Sequence, residues 1–181
     1  MKKHTLQTQQ GAALIVSLVI LVLMTLIGIF AMRSSVMEEK MASNQRDREL
    51  AHQAAEIALR DGERFISSLN VRPNPTDSGT NSNVYTFNSP DLDPNVNNAV
   101  PWWQERNAAW WADVDNTVTS ILPDNTATAP RYVIEEIGLR SEDKLEGVAK
   151  AGVYDYRITA RGTGGSNIAR VLLQTTVVKE Y

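Results

Sequence analysis

The sequence predicts an α+β fold, in which one long N-terminal helix packs on a small antiparallel β-sheet. Three observations support this prediction. An uncharged apolar run over residues 12–32 continues directly into an amphipathic stretch over residues 33–69. Pro73 and Pro75 then end the helical pattern, because proline removes a helix hydrogen bond. Toward the C-terminus apolar and polar residues alternate, which is the periodicity of β-strands.

Composition limits the classes of function that the chain can serve. The 181 residues carry a formal net charge of −3, no cysteine and two histidines. Without the apolar run, roughly 150 residues remain, enough for one domain with a modest core. The absence of cysteine excludes disulfides, thiolate nucleophiles and thiolate metal sites. Lysine and arginine are scattered rather than clustered in a basic stripe, so nucleic acid is not an expected partner.

The apolar run is predicted to be a single transmembrane helix that stays on the protein. Its 21 residues would span roughly 30 Å, the thickness of a bilayer core. The polar leader, residues 1–11, carries Lys2 and Lys3, which favour a cytoplasmic N-terminus and an exported C-terminal domain. In the alternative, a cleaved secretory signal, an apolar region of about 7–15 residues precedes the small-residue cleavage site. Here the run is longer, and the small residues Gly11, Ala12 and Ala13 precede it.

The stretch 33–69 is predicted to be an amphipathic stalk helix. Between residues 33 and 50 the apolar face is thin, so this part is expected to project from the domain. Further along, small and apolar residues recur every three or four positions, which predicts a face that packs closely on the sheet of the same subunit. The residues of this face are Ala51, Ala54, Ala55, Ala58, Gly62, Phe65, Ile66 and Leu69.

The segment 70–181 is predicted to be the globular domain, with about four antiparallel strands. The predicted strands are Val84–Phe87, Arg131–Ile137, Val153–Arg161 and Ile168–Val178. The last two flank the sequence GTGGSN, whose glycines permit positive φ, so they are expected to form a hairpin. Within the third strand one face is expected to be buried, and its residues are Tyr154, Tyr156, Ile158 and Ala160.

No enzymatic site is expected. The sequence contains no Ser-His-Asp arrangement, histidine cluster or glycine-rich phosphate loop. The adjacent carboxylates Glu135 and Glu136 lie on a predicted strand, where successive side chains point to opposite faces. They therefore cannot act as a catalytic pair.

A calcium loop is the one metal site that the sequence suggests. Asp91, Asp93 and Asn95 match the first ligands of a D-x-D-x-N loop. Val96 then replaces the turn glycine, and Trp102 stands where the bidentate glutamate belongs. We therefore expect a plain loop, and no metal or other cofactor.

The N-terminal pattern resembles the type IV prepilin signal, a polar leader that ends in glycine before an apolar helix. The stretch MRSSVMEEKMASNQRDRELAHQAAEIALRDGE (32–63) resembles the signature of PilX-type minor pilins, and YRITARGTGGSNIARVLLQTT (156–176) resembles the closing hairpin of that family. The resemblance implies a pilin-like ladle fold, cleavage by prepilin peptidase between Gly11 and Ala12, and methylation of Ala12. It also implies assembly with other minor pilins, the major pilin and a tip adhesin, and a part in adhesion and twitching motility.

One residue departs from the pilin pattern. Most pilins carry glutamate at the fifth mature position, where it pairs with the N-terminal ammonium of a neighbouring subunit; here that position is Val16. Since Val16 cannot neutralise a subunit ahead of it, the resemblance favours a place at the filament tip or in the priming complex. Alternatively, Val16 faces lipid and a neighbour supplies the compensation. Two other functions stay open: a tip pseudopilin of type II secretion, and a membrane-anchored periplasmic binding module.

Two tryptophan pairs, Trp102-Trp103 and Trp110-Trp111, are predicted to lie on one short helix between Pro101 and Asp113. Some of the indoles are expected to cover the open side of the sheet as core. The alternative is an exposed aromatic patch that docks a partner pilin or a tip adhesin, because tryptophan is enriched at interface hot spots. Sugar binding is a third interpretation.

Overall fold

The computed structural model describes residues 12–142 and 152–181. The chain divides into two compact units, with the boundary between Asn44 and Gln45. The first unit, as described, is the N-terminal part of one long helix. The second contains the rest of that helix and a five-stranded sheet. The elements are α1 (Ala12–Ser68), β1 (Val84–Thr86), α2 (Trp102–Glu105), α3 (Ala108–Ala112), β2 (Val118–Thr119), β3 (Arg131–Glu142), β4 (Gly152–Thr163) and β5 (Arg170–Glu180).

The part of α1 in the first unit presents exposed side chains all round, from Ala12 to Asn44. Among the residues that the structure describes, α1 is the one helix long and apolar enough to cross a membrane. A helix that is apolar on every side is suited to lipid or to other helices rather than to water. The membrane helix predicted over residues 12–32 therefore has the length and composition that it needs.

In the second unit α1 packs on the sheet through the face that the sequence predicted. Four alanines of this face, Ala51, Ala54, Ala55 and Ala58, are fully buried. Gly62 lies so close to β4 that a Cβ placed there would be 2.7 Å from Cγ2 of Ile158. The small residues thus let the helix approach the sheet, and the predicted α+β fold is confirmed.

The sheet has the order β1-β3-β4-β5, with the short strand β2 beside β1 on the same edge of β3. The pairs β3–β4, β4–β5 and β2–β3 are antiparallel, but β1 runs parallel to β3 with Val84 opposite Ile134. The prediction of about four antiparallel strands was therefore wrong in the orientation of β1 and in missing β2. A parallel pair needs a long crossover connection, and residues 87–130 supply it.

This crossover covers the face of the sheet opposite to α1. It carries both tryptophan pairs, which lie on two helices, α2 and α3, rather than on the single helix predicted. The chain is extended at Arg106 and Asn107, and the Asn107 side chain caps α3 by accepting a hydrogen bond from the backbone N–H of Trp110. The sheet consequently has two cores, one against α1 and one against the tryptophans.

The predicted hairpin joins β4 to β5, but its glycines serve a different purpose from the one expected. The residue with positive φ in this turn is Asn167, at 60°. Gly162 and Gly164 instead face α1, where a Cβ would collide with the backbone of Ala51 and with Asp47. Glycine is needed here because the strand and the helix backbone touch.

Candidate functional site

The first candidate site is the N-terminal end of α1. Gly11, on the leader side of the predicted cleavage junction, lies outside the described residues, and Ala12 begins α1. Val16 lies one turn further on, with 56 % of its surface exposed. Ser17 and Thr25 donate hydrogen bonds to the carbonyls of Leu14 and Val22, at 2.9 Å and 2.7 Å. Because the hydroxyls bond to the helix itself, this segment offers neighbours an apolar surface.

No carboxylate in this part of α1 can replace the missing one at Val16. From Ala12 the first acidic residue along the helix is Glu38. At 1.5 Å per residue, Glu38 is about 33 Å from Val16 along the helix axis. A carboxylate at that distance cannot pair with an ammonium group that lies beside Val16.

The four tryptophans form one cluster on the second core. Trp102 is the centre, with its ring centroid 5.6 Å from those of Trp103 and Trp110 and 5.9 Å from that of Trp111. Trp102 and Trp111 are each only 1 % exposed, so they are core side chains. Trp103 and Trp110 are half-buried. Burial therefore limits any docking role for this cluster to Trp103 and Trp110.

A buried ion pair lies beneath the tryptophans. The Glu135 carboxylate is fully buried and accepts two hydrogen bonds from Arg157, at 2.9 Å and 2.6 Å. It also accepts one from Trp102 Nε1 at 3.1 Å and one from the backbone N–H of Asn88 at 3.3 Å. The Arg157 guanidinium lies within 5 Å of the ring centroids of Phe87 and Trp103. This network joins β3, β4 and the crossover, and it was not predicted from the sequence. The available signal was the pair of glutamates within the otherwise apolar strand YVIEEI.

Glu136 points to the opposite face, as predicted for adjacent strand residues. Its carboxylate accepts two hydrogen bonds from Arg72, at 3.1 Å and 2.5 Å, and one from the Tyr156 hydroxyl at 3.1 Å. The hydrogen bonds to Glu136 raise the pKa of the Arg72 guanidinium, and burial raises the pKa of Tyr156. Each carboxylate thus has its own arginine, and the two do not share a cleft.

The loop suspected of binding calcium is held by an arginine. Arg106 donates hydrogen bonds to the carbonyl oxygens of Asp91 and Leu92, at 2.6 Å and 2.7 Å. The Asp93 carboxylate caps the turn by accepting from the backbone N–H of Asn95. The guanidinium lies against two backbone carbonyls of this loop, and its positive charge would repel a cation bound there.

A polar contact ties the β4–β5 turn to α1. Asp47 accepts hydrogen bonds from the backbone N–H of Ser166, at 3.1 Å, and from the Ser166 hydroxyl. The side-chain hydrogen bond from Ser166 lowers the pKa of the Asp47 carboxyl, with smaller contributions from nearby backbone N–H groups. This contact was also missed, because its partners are 119 residues apart.

Comparisons with known proteins agree with the resemblance. A family model described as PilX N-terminal matches residues 10–60, and a model described as type IV pilus assembly protein PilX C-term matches residues 70–179. The second match alone covers more than half of the chain, and it includes β1 to β4 and all of β5 except Glu180. No curated protein and no solved structure matches the chain.

Proposed function

We propose that this chain, which belongs to the PilX family of type IV pilus assembly proteins and is a minor pilin, primes assembly and occupies the pilus tip or a position next to it. Members of this family are structural components of the pilus, and the family is not a known enzyme family. In this proposal prepilin peptidase cuts between Gly11 and Ala12 and methylates Ala12. Before assembly the apolar helix holds the protein in the inner membrane, with the second unit in the periplasm. After assembly the protein is on the cell surface.

The proposal that the protein lies at the tip rests on the apolar residue Val16, which stands where most pilins carry glutamate. In a filament core, each subunit needs a carboxylate to neutralise the N-terminal ammonium of the subunit ahead, because an unpaired charge is costly in apolar surroundings. Val16 supplies none, and Glu38 is about 33 Å away along the helix. The cost disappears where no subunit lies ahead, which is the position at the tip.

The test is to give the protein the missing carboxylate. We expect immunogold labelling of sheared pili to find the natural protein at one end, and Val16→Glu to spread the label along the shaft. The control is Val16→Gln, which has the size of the glutamate variant without its charge and should stay at the end. Even labelling of the natural protein along the filaments would refute the tip placement.

A second experiment separates a minor pilin from a membrane anchor that never polymerises. Gly11→Arg should block cleavage, leave the protein at the size of its precursor and prevent its entry into pili. A deletion strain should have few surface pili and little twitching motility, with normal amounts of the major prepilin. If Gly11→Arg changes neither the size of the protein nor piliation, processing at this junction is not part of its function.

Trp103 and Trp110 are our candidates for contact with other minor pilins, the major pilin or a tip adhesin. Both are half-buried and lie beside arginines, with Arg157 4.9 Å from the Trp103 ring centroid and Arg106 5.0 Å from that of Trp110. Aromatic and arginine side chains together are typical of interface hot spots. Trp103→Ala should weaken co-purification with the other minor pilins, and an equal yield of the complex would exclude this contact.

A further inference from the structure

A cavity of about 410 Å³ opens on the tryptophan side of the sheet, next to α3. One wall is formed by the alanines of α3, Ala108, Ala109 and Ala112. The rest of the lining comes from strands β3, β4 and β5 and from the segments next to them, and it carries three arginines, Arg131, Arg161 and Arg170. No acidic residue of the described chain lines this cavity, although the chain as a whole carries a net charge of −3.

The strand register forces these arginines together. Arg131 on β3 lies directly opposite Arg161 on β4. Arg170 on β5 lies opposite Thr163, two residues from Arg161 and on the same face of the sheet. Like charges directly opposite each other destabilise a sheet, so this arrangement has a cost in the absence of an anion.

None of the three guanidinium groups forms an ion pair within residues 12–142 and 152–181. Among the described residues, Arg131 donates to the Thr117 hydroxyl and the Asp113 carbonyl, at 3.1 Å and 3.3 Å. Arg170 donates to the carbonyl of Asn167 at 3.4 Å. For Arg161, which is partly buried, the described residues provide no hydrogen-bond acceptor, and burial together with the charge of Arg170 lowers its pKa.

Two other arginines of the second unit, Arg157 on β4 and Arg72 in the connection between α1 and β1, differ in this respect. Arg157 lies four residues before Arg161 on the same face of β4, and a bidentate carboxylate, that of Glu135, neutralises it. Arg72 is neutralised in the same way by Glu136. At Arg161 the cross-strand partner on β3 is another arginine, Arg131, and Arg161 lines the cavity.

We propose that this cavity binds an acidic saccharide, with the carboxylate of a uronic acid held between Arg161 and its two neighbouring arginines. Guanidinium groups bind carboxylates in a bidentate manner. The alanine wall suits the apolar face of a sugar ring, and Thr128 and Asn167 on the lining can hydrogen-bond to ring hydroxyls. A free inorganic anion would leave most of the 410 Å³ unfilled. Such a site would attach the pilus to an anionic polysaccharide, and it does not depend on the tip placement.

The test uses the full chain in a polyoxyethylene detergent, so that no sugar headgroup competes. Titration calorimetry with a galacturonic acid trisaccharide should show binding that weakens as salt is added, whereas a galactose trisaccharide should not bind. Trp111 lines the cavity, with the Arg161 guanidinium 5.8 Å from its ring centroid, so tryptophan emission should change on binding. Equal affinity for inorganic phosphate or for a short DNA duplex would overturn the assignment to a saccharide, as would no binding of the trisaccharide below millimolar concentration.

Variants locate the site. Arg161→Gln should weaken binding of the trisaccharide at least about tenfold, because it removes a charged hydrogen-bond donor from the site. Arg170 is exposed, so Arg170→Gln should fold normally and weaken binding in the same direction. Arg60→Gln removes the same charge from an exposed position on α1 and should leave binding unchanged. Unchanged affinity in Arg170→Gln, or an equal loss in Arg60→Gln, would overturn the proposal even if Arg161→Gln does not fold.

Discussion

Replacing Arg157 with methionine should destabilise the second unit more than any exposed charge substitution. Methionine keeps part of the apolar stem of the arginine, so the main loss is the charge that neutralises Glu135. Glu135 is fully buried, and the Arg157 side chain is only 17 % exposed. Removing one partner of such a pair costs about 3–5 kcal/mol, because the other charge stays buried without compensation. A domain of this size has a total stability of only about 5–15 kcal/mol.

Urea unfolding of the full chain in detergent measures this effect. All four tryptophans lie between residues 102 and 111, so their emission reports on the second unit alone. With a slope of about 2 kcal/mol per molar urea, a loss of about 4 kcal/mol lowers the unfolding midpoint by about 2 M. The matched control is Arg60→Met, since the pair of Arg60 with Glu56 is exposed and such pairs contribute about 0–1 kcal/mol.

The double variant Arg157→Met with Glu135→Leu separates the charge effect from packing. It removes both charges and should recover most of the lost stability, since apolar residues often replace a buried pair at little cost. A residual loss of about 1–3 kcal/mol should remain, because Trp102 Nε1 loses its acceptor. If Arg157→Met shifts the midpoint no more than Arg60→Met does, the buried network does not stabilise this fold.

Two further predictions concern the contact between α1 and the sheet. Gly162→Ala should lower the free energy of unfolding by about 1–3 kcal/mol, because the new Cβ meets the backbone of Ala51. Gly62→Ala should lower it less, since the nearest neighbour of the new Cβ is a side-chain methyl group. Urea midpoints that rank the two variants in reverse would contradict this prediction. The folded-state pKa of Asp47 is lowered, so its contact with Ser166 stabilises the fold above the ordinary carboxyl pKa of 3.8, and this stability is lost as the pH falls through the folded value. Asp47→Asn should therefore unfold at lower urea concentration than the natural protein at pH 7 and lose less stability on acidification; equal slopes of the midpoint against pH would exclude this role.

Much of α1 could be predicted because its signals are local. The uncharged run 12–32 and the spacing of small residues from Ala51 onward lie within a few helical turns, and each indicates its surroundings directly. The hairpin of β4 and β5 is also local, which explains why its existence was predicted. The close contact of Gly162 with α1 was not predicted, because it depends on a helix more than a hundred residues earlier in the chain.

The packing of the tryptophan cluster on the sheet could not be predicted from the sequence. Alternation along β4 correctly separated Tyr156 and Ile158 from the polar residues between them, and the first two are fully buried. It could not say that the polar face would be covered as well, because that depends on the parallel pairing of β1 with β3 and on the crossover between them. Thr159, on that polar face, is fully buried too.

The sequence by itself determined that this chain has a long helix, apolar at its start and packed through alanines further on, and that its pattern belongs to a pilin. Only the tertiary structure decided what its arginines do. Arg157 and Arg161 are four residues apart on one face of β4, and nothing in the local sequence separates them. Register places Glu135 opposite the first and Arg131 opposite the second. The first is neutralised within the fold, and the second faces a cavity, because strand pairing is set by contacts between distant parts of the chain.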